Sequence, residues 1–231
     1  MCEILAVKWP EPRPFSAVAQ WARAMEHYGS GRFGWGVAWL DEGAAGEAGG
    51  RVRVHVDTGQ MAADGAVAGQ LGAVQSSRFL VHFRRPTLLS TIQLADTQPF
   101  VMEDNDLAFC HNGLFAEHAA FRPAYAGRLK GAADSQIGFC MLQDMAAEGI
   151  PVCDALAIVH AKLGGNANLA TLDAQGQIAL FSRHETNRFW TFRAGEAQVA
   201  ATELHSPDDS LFTLIFPQAA GRAVVDESIL L

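Results

Sequence analysis

The chain begins MCEILAVKW over residues 1–9, and this stretch decides how the rest of the sequence is interpreted. Cys2 stands directly behind the initiator methionine, which methionine aminopeptidases remove when the next side chain is small. The mature chain would then begin at Cys2, with a thiol and a free α-amino group on one residue. Since the amine can accept the thiol proton near neutral pH, Cys2 would supply both a nucleophile and its base. The alternative is that Cys2 only begins a first β-strand.

Apolar patterning outlines the elements that follow. Residues 3–9 and 78–83 are apolar runs typical of buried strands, and valines alternate along 51–57. The spacing of apolar residues predicts helices over 15–28, 135–147 and 153–163. Further strands are predicted at 35–39, 107–110, 168–172, 177–182, 188–192, 198–202, 211–216 and 223–225. The glycine-rich stretch 42–50 predicts a hairpin tip, and we expect a C-terminal tail from about Pro217.

These elements come in the order strands, helices, strands. The order favours antiparallel sheets that share a layer of helices over a doubly wound βαβ fold. With 231 residues the chain is long enough to bury a sizeable core, and no linker or internal repeat divides it. We therefore predict an α+β fold in a single domain over residues 2–231.

Composition excludes several classes of partner. The chain has 17 basic and 25 acidic residues, a formal net charge of -8, and no basic run, which argues against nucleic acid or an anionic membrane surface. We expect no signal peptide and no transmembrane helix, because neither pattern is present. The four cysteines are scattered, without C-x-x-C pairs or zinc-ligand spacing, which fits a reducing cytoplasm. We therefore expect a cytoplasmic protein with no metal and no cofactor.

Six short motifs follow one another along the first part of the chain. They are Cys2, Trp35-Gly36, Arg84-x-x-Thr87, Gln98-Pro99-Phe100, His111-Asn112-Gly113 and Asp134-Ser135. In this order and spacing, the chain from residue 2 to about 140 resembles the class II glutamine amidotransferases, the N-terminal-nucleophile glutaminase domain. Short single-domain members that begin MC are the most similar. The resemblance implies a four-layer αββα sandwich of two antiparallel sheets, of the Ntn-hydrolase type.

The resemblance also implies the chemistry, which is hydrolysis of the side-chain amide of glutamine. The thiolate of Cys2 would attack the amide, and its own α-amino group would take and return the proton. The side-chain N–H of Asn112 and the backbone N–H of Gly113 would stabilise the developing oxyanion. Taken alone, His111-Asn112-Gly113 is equally a turn that ends a strand.

Substrate binding follows from the same resemblance. Arg84 would hold the α-carboxylate of the substrate with a planar pair of donors, Thr87 would add a hydroxyl, and Asp134 would hold the α-ammonium. Three further residues are expected to line the substrate pocket: Trp35, Gly36 and His111. Each assignment has a structural alternative, because Arg84 could be a solvated strand end, Asp134 a helix cap and Trp35 a core aromatic.

Departures from the family pattern concern the loops around the substrate. Phe33 stands where Asp is usual, Pro86 where a small residue is usual, Leu88 follows Thr87, and Gln136 replaces a common Glu. These changes favour a γ-glutamyl compound larger than glutamine. The ammonia would pass to water or to a separate synthase subunit, because no synthase domain fits after about residue 220. Two alternatives remain, a γ-glutamyl dipeptide amidohydrolase and a catalytically silent binding or regulatory module.

Overall fold

The computed structural model describes residues 2–43, 50–102, 104, 106–205, 209–217 and 219–231. Met1 and most of the predicted hairpin tip at 42–50 lie outside the described residues. Two antiparallel sheets make the frame of the molecule. The strands are numbered along the chain.

The larger sheet has seven strands in the order β11-β9-β10-β1-β4-β2-β3. They are β1 (Glu3–Pro14), β2 (Trp35–Asp41), β3 (Arg51–Asp57), β4 (Gln75–Phe83), β9 (Phe189–Ala194), β10 (Ala197–Thr202) and β11 (Ala219–Val224). The first strand lies in the interior of the sheet, with Leu5 paired to Ala201 of β10 on one side and to Val81 of β4 on the other. The predicted strand behind Cys2 therefore organises this sheet.

The smaller sheet has five strands in the order β12-β8-β7-β6-β5. They are β5 (Phe100–Val101), β6 (Leu107–Leu114), β7 (Asn166–Asp173), β8 (Ile178–Arg183) and β12 (Ile229–Leu230). The strand β6 continues four residues beyond the predicted end at 110, so His111, Asn112 and Gly113 pair with β7 as part of the sheet. They do not form a strand-ending turn.

Helices cover the outer face of each sheet. They are α1 (Phe15–Tyr28), α2 (Gly65–Ala68), α3 (His118–Tyr125), α4 (Ser135–Ala147), α5 (Val152–Leu163) and α6 (Asp209–Ile215). The apolar faces of α1 and α6 pack on the seven-stranded sheet, and those of α4 and α5 pack on the five-stranded sheet. Within the described part of the chain, no helix combines the length and apolar character needed to cross a membrane.

A third core fills the space between the two sheets. Alternate residues of each strand point into it, such as Ile4 and Ala6 of β1, Leu80 of β4 and Cys110 of β6. Both faces of the central strands are thus buried, which explains why the sequences of these strands are continuous apolar runs. The layers follow one another as helix, sheet, sheet, helix, and the predicted four-layer αββα sandwich is confirmed.

The C-terminal quarter differs from the sequence prediction in two places. The predicted strand at 211–216 is wrong, because residues 209–215 form α6. Phe212 and Phe216 are four residues apart, which is one helical turn, and both rings pack on Phe192, with Phe216 4.8 Å from it between centroids. The expected tail from Pro217 is wrong as well, since β11 pairs with β9 and β12 pairs with β8.

Candidate active site

Strand register brings the predicted nucleophile next to the predicted carboxylate-binding residue. Glu3 of β1 is paired with Phe83 of β4, so Cys2 and Arg84 are the next pair at the ends of these strands. Their even-numbered neighbours Ile4 and Leu80 point into the layer between the sheets. By the same alternation Cys2 and Arg84 point toward that layer, at its edge.

A cavity of about 140 Å³ opens at this edge. Six of the nine predicted site residues line it: Cys2, Arg84, Thr87, His111, Gly113 and Asp134. A larger groove of about 730 Å³ lies beside α4 and contains none of them. The chemistry-bearing side chains therefore converge on the smaller cavity, which combines a thiol, a guanidinium and a carboxylate.

Cys2 is held at one wall of this cavity by the chain that follows β4. The backbone N–H of Arg85 donates to Cys2 Sγ at 3.4 Å, and the thiol lies 3.8 Å from the carbonyl oxygen of Arg85. Burial raises the pKa of the Cys2 thiol, while the hydrogen bond from Arg85 and the charge of Arg84 act in the opposite direction. A thiol with a raised pKa is protonated at neutral pH and needs a base before it can attack.

Arg84 is buried, with only 3% of its surface exposed. One guanidinium nitrogen, Nη2, donates to Thr91 Oγ1 at 2.8 Å, whereas Nη1 is buried and has no hydrogen-bond partner within the described residues. Burial lowers the pKa of Arg84, but a guanidinium remains charged at physiological pH. A buried cationic donor left unpaired beside a cavity favours an anionic ligand such as a carboxylate.

Asp134 lies immediately before α4 and does not cap it, because its side chain makes no hydrogen bond to the first turn. Instead Oδ2 accepts the backbone N–H of Phe115 at 2.8 Å. His111 Nδ1 is 3.9 Å from the same oxygen. The carboxylate is therefore fixed at the cavity wall by the segment after β6, where it can pair with a cation.

Asn112 carries the most unusual polar group near the site. Its side chain is fully buried, and within the described residues neither Nδ2 nor Oδ1 has a hydrogen-bond partner. Ala108 and Cys110, four and two residues earlier on β6, point into the layer between the sheets, and by alternation Asn112 does so too. Asn112 thus shares this layer with Cys2, although it does not itself line the cavity. Buried amides are nearly always hydrogen-bonded, so an unused one is a candidate ligand group.

Gly113 follows with a backbone that other residues do not adopt. Its φ is 139°, and an added Cβ would overlap the carbonyl oxygen of Asn166 on the neighbouring strand β7. Glycine is therefore required here by the sheet itself. The same absence of a side chain leaves the backbone of residue 113 open to the cavity.

His111 is the centre of a hydrogen-bonded wall. Its backbone N–H donates to Gln98 Oε1 at 2.6 Å, and its Nδ1 is 2.9 Å from Ser135 Oγ, which also accepts from Gln98 Nε2. The ring stacks on Phe115 with centroids 3.9 Å apart. Burial lowers the pKa of His111 to about 4, so the ring is neutral at pH 7. His111 thus supports the cavity as a neutral, fixed side chain.

Trp35 and Gly36 do not line the cavity, in contrast to what the motif implied. Trp35 is a core aromatic, fully buried and stacked on Phe15 at 6.3 Å between centroids. Gly36 affects the cavity only through Gln98. A Cβ on residue 36 would lie 2.5 Å from the carbonyl oxygen of Gln98, and Gln98 lines the cavity. The carbonyl oxygen of Gly34, in the glycine-rich loop before β2, accepts a hydrogen bond from the backbone N–H of Arg84 at 2.8 Å.

Two residues near the site were missed in the sequence. Thr91 Oγ1 is the group that accepts from Arg84, whereas Thr87 lies on the exposed rim of the cavity. Asp96 is fully buried and accepts the backbone N–H groups of Ala132 and Ala133 at 3.0 and 2.9 Å, which ties two loops of the cavity wall together. Each residue ends a three-residue 3-10 helix between β4 and β5, and elements this short have no periodic pattern that indicates which side chains turn inward.

The site presents the groups that an amino-acid-like substrate requires. Across the residues that the structure describes, no three His, Cys, Asp or Glu side chains are grouped as metal ligands would be. The cavity offers a nucleophilic sulfur, a cation, an anion and an unused amide. Its volume is small next to the roughly 300–1,000 Å³ of pockets for drug-sized ligands, which favours a compact polar headgroup.

Comparison with known proteins gives one family and several similar folds. The family model described as glutamine amidotransferases class-II matches residues 1–207. Among curated proteins, no match was found. Glutamine phosphoribosylpyrophosphate amidotransferase from B. subtilis, complexed with ADP and GMP, has a TM-score of 0.73 and 14% identity, over 99% of this chain and 47% of that chain.

Two further solved structures are similar. An allosteric regulatory enzyme of purine biosynthesis has a TM-score of 0.73 and 13% identity, over 99% of this chain and 46% of that one. A glutamine aminotransferase class-II domain protein from Silicibacter pomeroyi has a TM-score of 0.60 and 20% identity, over 87% of this chain and 88% of that one. The chain spans about half the length of the first two structures, and at these identities the likeness shows the fold alone.

Proposed function

The chain belongs to the class II glutamine amidotransferase family, and we propose that Cys2 is the nucleophile with which it hydrolyses the side-chain amide of glutamine. The observation that carries the proposal is the content of the cavity, where the thiol of Cys2 lies with Arg84 and Asp134 around a space of about 140 Å³. A free amino acid headgroup needs one cation and one anion, and these two side chains supply them. Nη1 of Arg84 has no hydrogen-bond partner in the described part of the chain, which supports the assignment of Arg84 to the carboxylate.

The proposed reaction begins with proton transfer inside Cys2. The α-amino group accepts the thiol proton, and the sulfur attacks the amide carbon of the substrate. The oxygen of that amide becomes an oxyanion, which accepts hydrogen bonds from Asn112 Nδ2 and the backbone N–H of Gly113. The α-ammonium returns its proton to the leaving nitrogen, ammonia departs, and a thioester to Cys2 remains. Water then attacks the thioester, and glutamate and the free thiol are regenerated.

This role of Cys2 requires that Met1 be removed. With Met1 retained, the nitrogen of Cys2 would be an amide that cannot accept the thiol proton. The raised pKa of the thiol supports the need for a base so close to it. The catalytically silent alternative corresponds to a chain in which Met1 stays.

A second candidate substrate is a γ-glutamyl compound with a larger substituent on the amide nitrogen. The supporting observation is the mouth of the cavity, where Leu88 and Leu114 are 63% and 49% exposed and both belong to the lining. Ammonia as the leaving group would bury none of this apolar surface. A larger amine with an apolar side chain would bury part of it, which favours binding. The headgroup site would be the same for both substrates.

We propose that residues 2–231 act as one domain, and that the ammonia passes to water or to a separate synthase subunit. The phosphoribosylpyrophosphate amidotransferase is about twice as long as this chain, so its acceptor does not transfer to this protein. The four cysteines Cys2, Cys110, Cys140 and Cys153 are unpaired, which supports a reducing, cytoplasmic location.

The test is release of glutamate by purified protein, with glutamine and a set of γ-glutamyl dipeptides as substrates. We expect hydrolysis with the wild type and none above background with Cys2→Ala, while circular dichroism shows the same fold. Cys110→Ala is the matched control, because Cys110 is a buried thiol of the same inter-sheet layer and is given no role in the reaction. Equal turnover by Cys2→Ala and wild type would rule the mechanism out.

A further inference from the structure

A buried group of polar side chains directly behind Cys2 has no part in the reaction described above. Glu3 is fully buried, and its Oε2 accepts hydrogen bonds from Thr202 Oγ1 at 2.5 Å and from Asn187 Nδ2 at 3.3 Å. The other carboxylate oxygen, Oε1, lies 4.0 Å from His205 Nε2, and a backbone hydrogen bond from Ser30 also stabilises the carboxylate. We call Glu3, Asn187, Thr202 and His205 the Glu3 cluster.

Asn187 connects the Glu3 cluster to the nucleophile. Its Nδ2 lies 3.4 Å from the carbonyl oxygen of Cys2, 3.3 Å from Glu3 Oε2 and 2.7 Å from His205 Nε2. An amide nitrogen has only two hydrogens, so these three acceptors compete for them. The bond to the Cys2 carbonyl therefore depends on the protonation of Glu3 and His205.

The backbone beside His205 is held in an uncommon conformation. Leu204 and His205 have φ values of 65° and 52°, in the left-handed region that residues other than glycine rarely adopt. The backbone N–H of His205 donates to Asn187 Oδ1 at 3.2 Å, so the turn is fixed by the same side chain. Backbone strain of this kind persists where the surroundings enforce it, and it is concentrated at functional sites.

We infer that Glu3, Asn187 and His205 are positioning residues for the nucleophile, which hold the backbone of Cys2 through its carbonyl and set the charge beside its thiol. This inference rests on the proposed role of Cys2. Asn187 fixes the carbonyl, Glu3 supplies a charge one residue away from the sulfur, and His205 accepts from Asn187 and keeps it in place.

The charge of Glu3 changes within the working range of such a site. Burial raises the pKa of Glu3 to about 7 and lowers that of His205 to about 4, so near neutral pH Glu3 titrates and His205 is neutral. Burial is the main cause of the raised pKa of Cys2, and the Glu3 carboxylate raises it further. Other charges act on the same groups. The N-terminal amino group lowers the pKa of Cys2, Glu3 and His205, Arg84 lowers that of Cys2, and the neighbouring His184 and Arg85 lower that of His205.

A purely structural role is the competing explanation. Thr202 Oγ1 accepts the N–H of Ile4 at 3.1 Å and donates to Glu3, so the Glu3 cluster also joins β1 to β10. If joining β1 to β10 were the only role of the Glu3 cluster, variants of its residues would lose activity in proportion to their loss of stability. They would leave the ionisation of the Cys2 thiol unchanged.

The deciding experiment titrates the thiol itself and needs no turnover. Mature protein is alkylated with iodoacetamide across a pH series, and the modification of Cys2 is followed by peptide mass spectrometry. In Glu3→Gln, which is nearly isosteric, we expect the midpoint of alkylation to move down by about 0.5 pH units or more, because a raising charge is removed. Glu26→Gln is the matched control. Glu26 is also a buried carboxylate, but it accepts the backbone N–H groups of Met61 and Ala62 and does not affect the pKa of Cys2, so the alkylation midpoint of Cys2 in this variant should equal that of the wild type.

Kinetics add the positioning test. In Asn187→Ala, kcat should fall by about 10- to 100-fold with KM little changed, because the nucleophile is displaced and the headgroup site is intact. Thr202→Val removes a hydrogen bond from the same Glu3 oxygen, but Thr202 does not contact Cys2. We expect this variant to lose as much melting temperature as Asn187→Ala, while its kcat falls by much less. An unchanged alkylation midpoint in Glu3→Gln overturns the inference, and so does an equal loss of kcat in Asn187→Ala and Thr202→Val. A shifted midpoint in a protein that releases no glutamate refutes the proposed function instead.

Discussion

Replacement of Asn112 by alanine should separate activity from stability. If Nδ2 stabilises the oxyanion, its loss should lower kcat by about 10²–10³-fold, equivalent to about 2.7–4 kcal/mol of barrier. The free energy of unfolding should change little, within about 1 kcal/mol. Among the described residues, neither polar atom of this amide has a hydrogen-bond partner. Removing a group whose burial costs about 1–3 kcal/mol therefore offsets the packing that is lost.

The control for this prediction lies directly opposite on the neighbouring strand. Asn168 of β7 is paired with Asn112 and is equally buried, but its Nδ2 donates to the carbonyl of Asn187 at 2.7 Å and its Oδ1 accepts from Ser182 at 2.6 Å. Asn168→Ala should therefore lower the free energy of unfolding by about 2–4 kcal/mol, since two hydrogen bonds are lost and two buried partners are left unpaired. Its kcat should fall less than that of Asn112→Ala.

The assay pairs steady-state glutamate release with urea unfolding of the same preparations. The expected pattern is a large loss of kcat with preserved stability in Asn112→Ala, and the reverse in Asn168→Ala. If Asn112→Ala kept kcat within about threefold of the wild type, the oxyanion assignment would be refuted. A loss of stability as large as that of Asn168→Ala would show that the amide has a structural role.

Three further outcomes are expected. Arg84→Lys should raise KM for glutamine by about 10- to 100-fold with a smaller change in kcat, because an ammonium cannot offer the planar pair of donors. An unchanged KM would show that Arg84 does not bind the substrate headgroup. Gly113→Ala should destabilise the fold by more than about 2 kcal/mol in urea unfolding, since the new Cβ meets Asn166 at a φ of 139°, and a stable variant would contradict the register of β6 and β7. Burial lowers the pKa of His82, on β4, to about 3 and those of His111 and His205 to about 4, so below about pH 6.5 each of these side chains binds a proton in the unfolded chain but not in the native protein. Glu3, whose pKa is raised to about 7, acts in the opposite direction, but it is one group against three. The free energy of unfolding should therefore fall as the pH drops from about 6.5 toward 4, and a flat profile over this interval would contradict the neutral burial of these histidines.

The family and the layered fold could be predicted from the sequence because their signals are local or ordered along the chain. Runs such as residues 3–9 are apolar on both faces, and β1 is indeed buried between a helix layer and a second sheet. The family expected from the motifs is confirmed by the match over residues 1–207. The six motifs come from different strands and loops, so their joint presence carries more information than any one of them.

The parts that the sequence did not reveal depend on tertiary contacts. The pairing of Arg84 with Thr91, and the bonds from Ala132 and Ala133 to Asp96, join segments without periodic pattern. The apolar run 211–216 is too short for its period to distinguish a strand from a helix, and its contacts with Phe192 decide the matter. The polar surroundings of Glu3 come from residues almost 200 positions away in the chain, so local sequence patterns cannot predict them.

The central claim is that a trimmed N-terminus makes Cys2 both nucleophile and base, and one labelling experiment tests it most directly. Purified protein is treated with a diazoketone analogue of glutamine, digested, and analysed by mass spectrometry. We predict that the N-terminal peptide begins at Cys2 and carries a single adduct on its sulfur, in proportion to the loss of glutamate release. An active protein whose N-terminal peptide still begins with Met1, or whose adduct lies on another residue, would contradict the account.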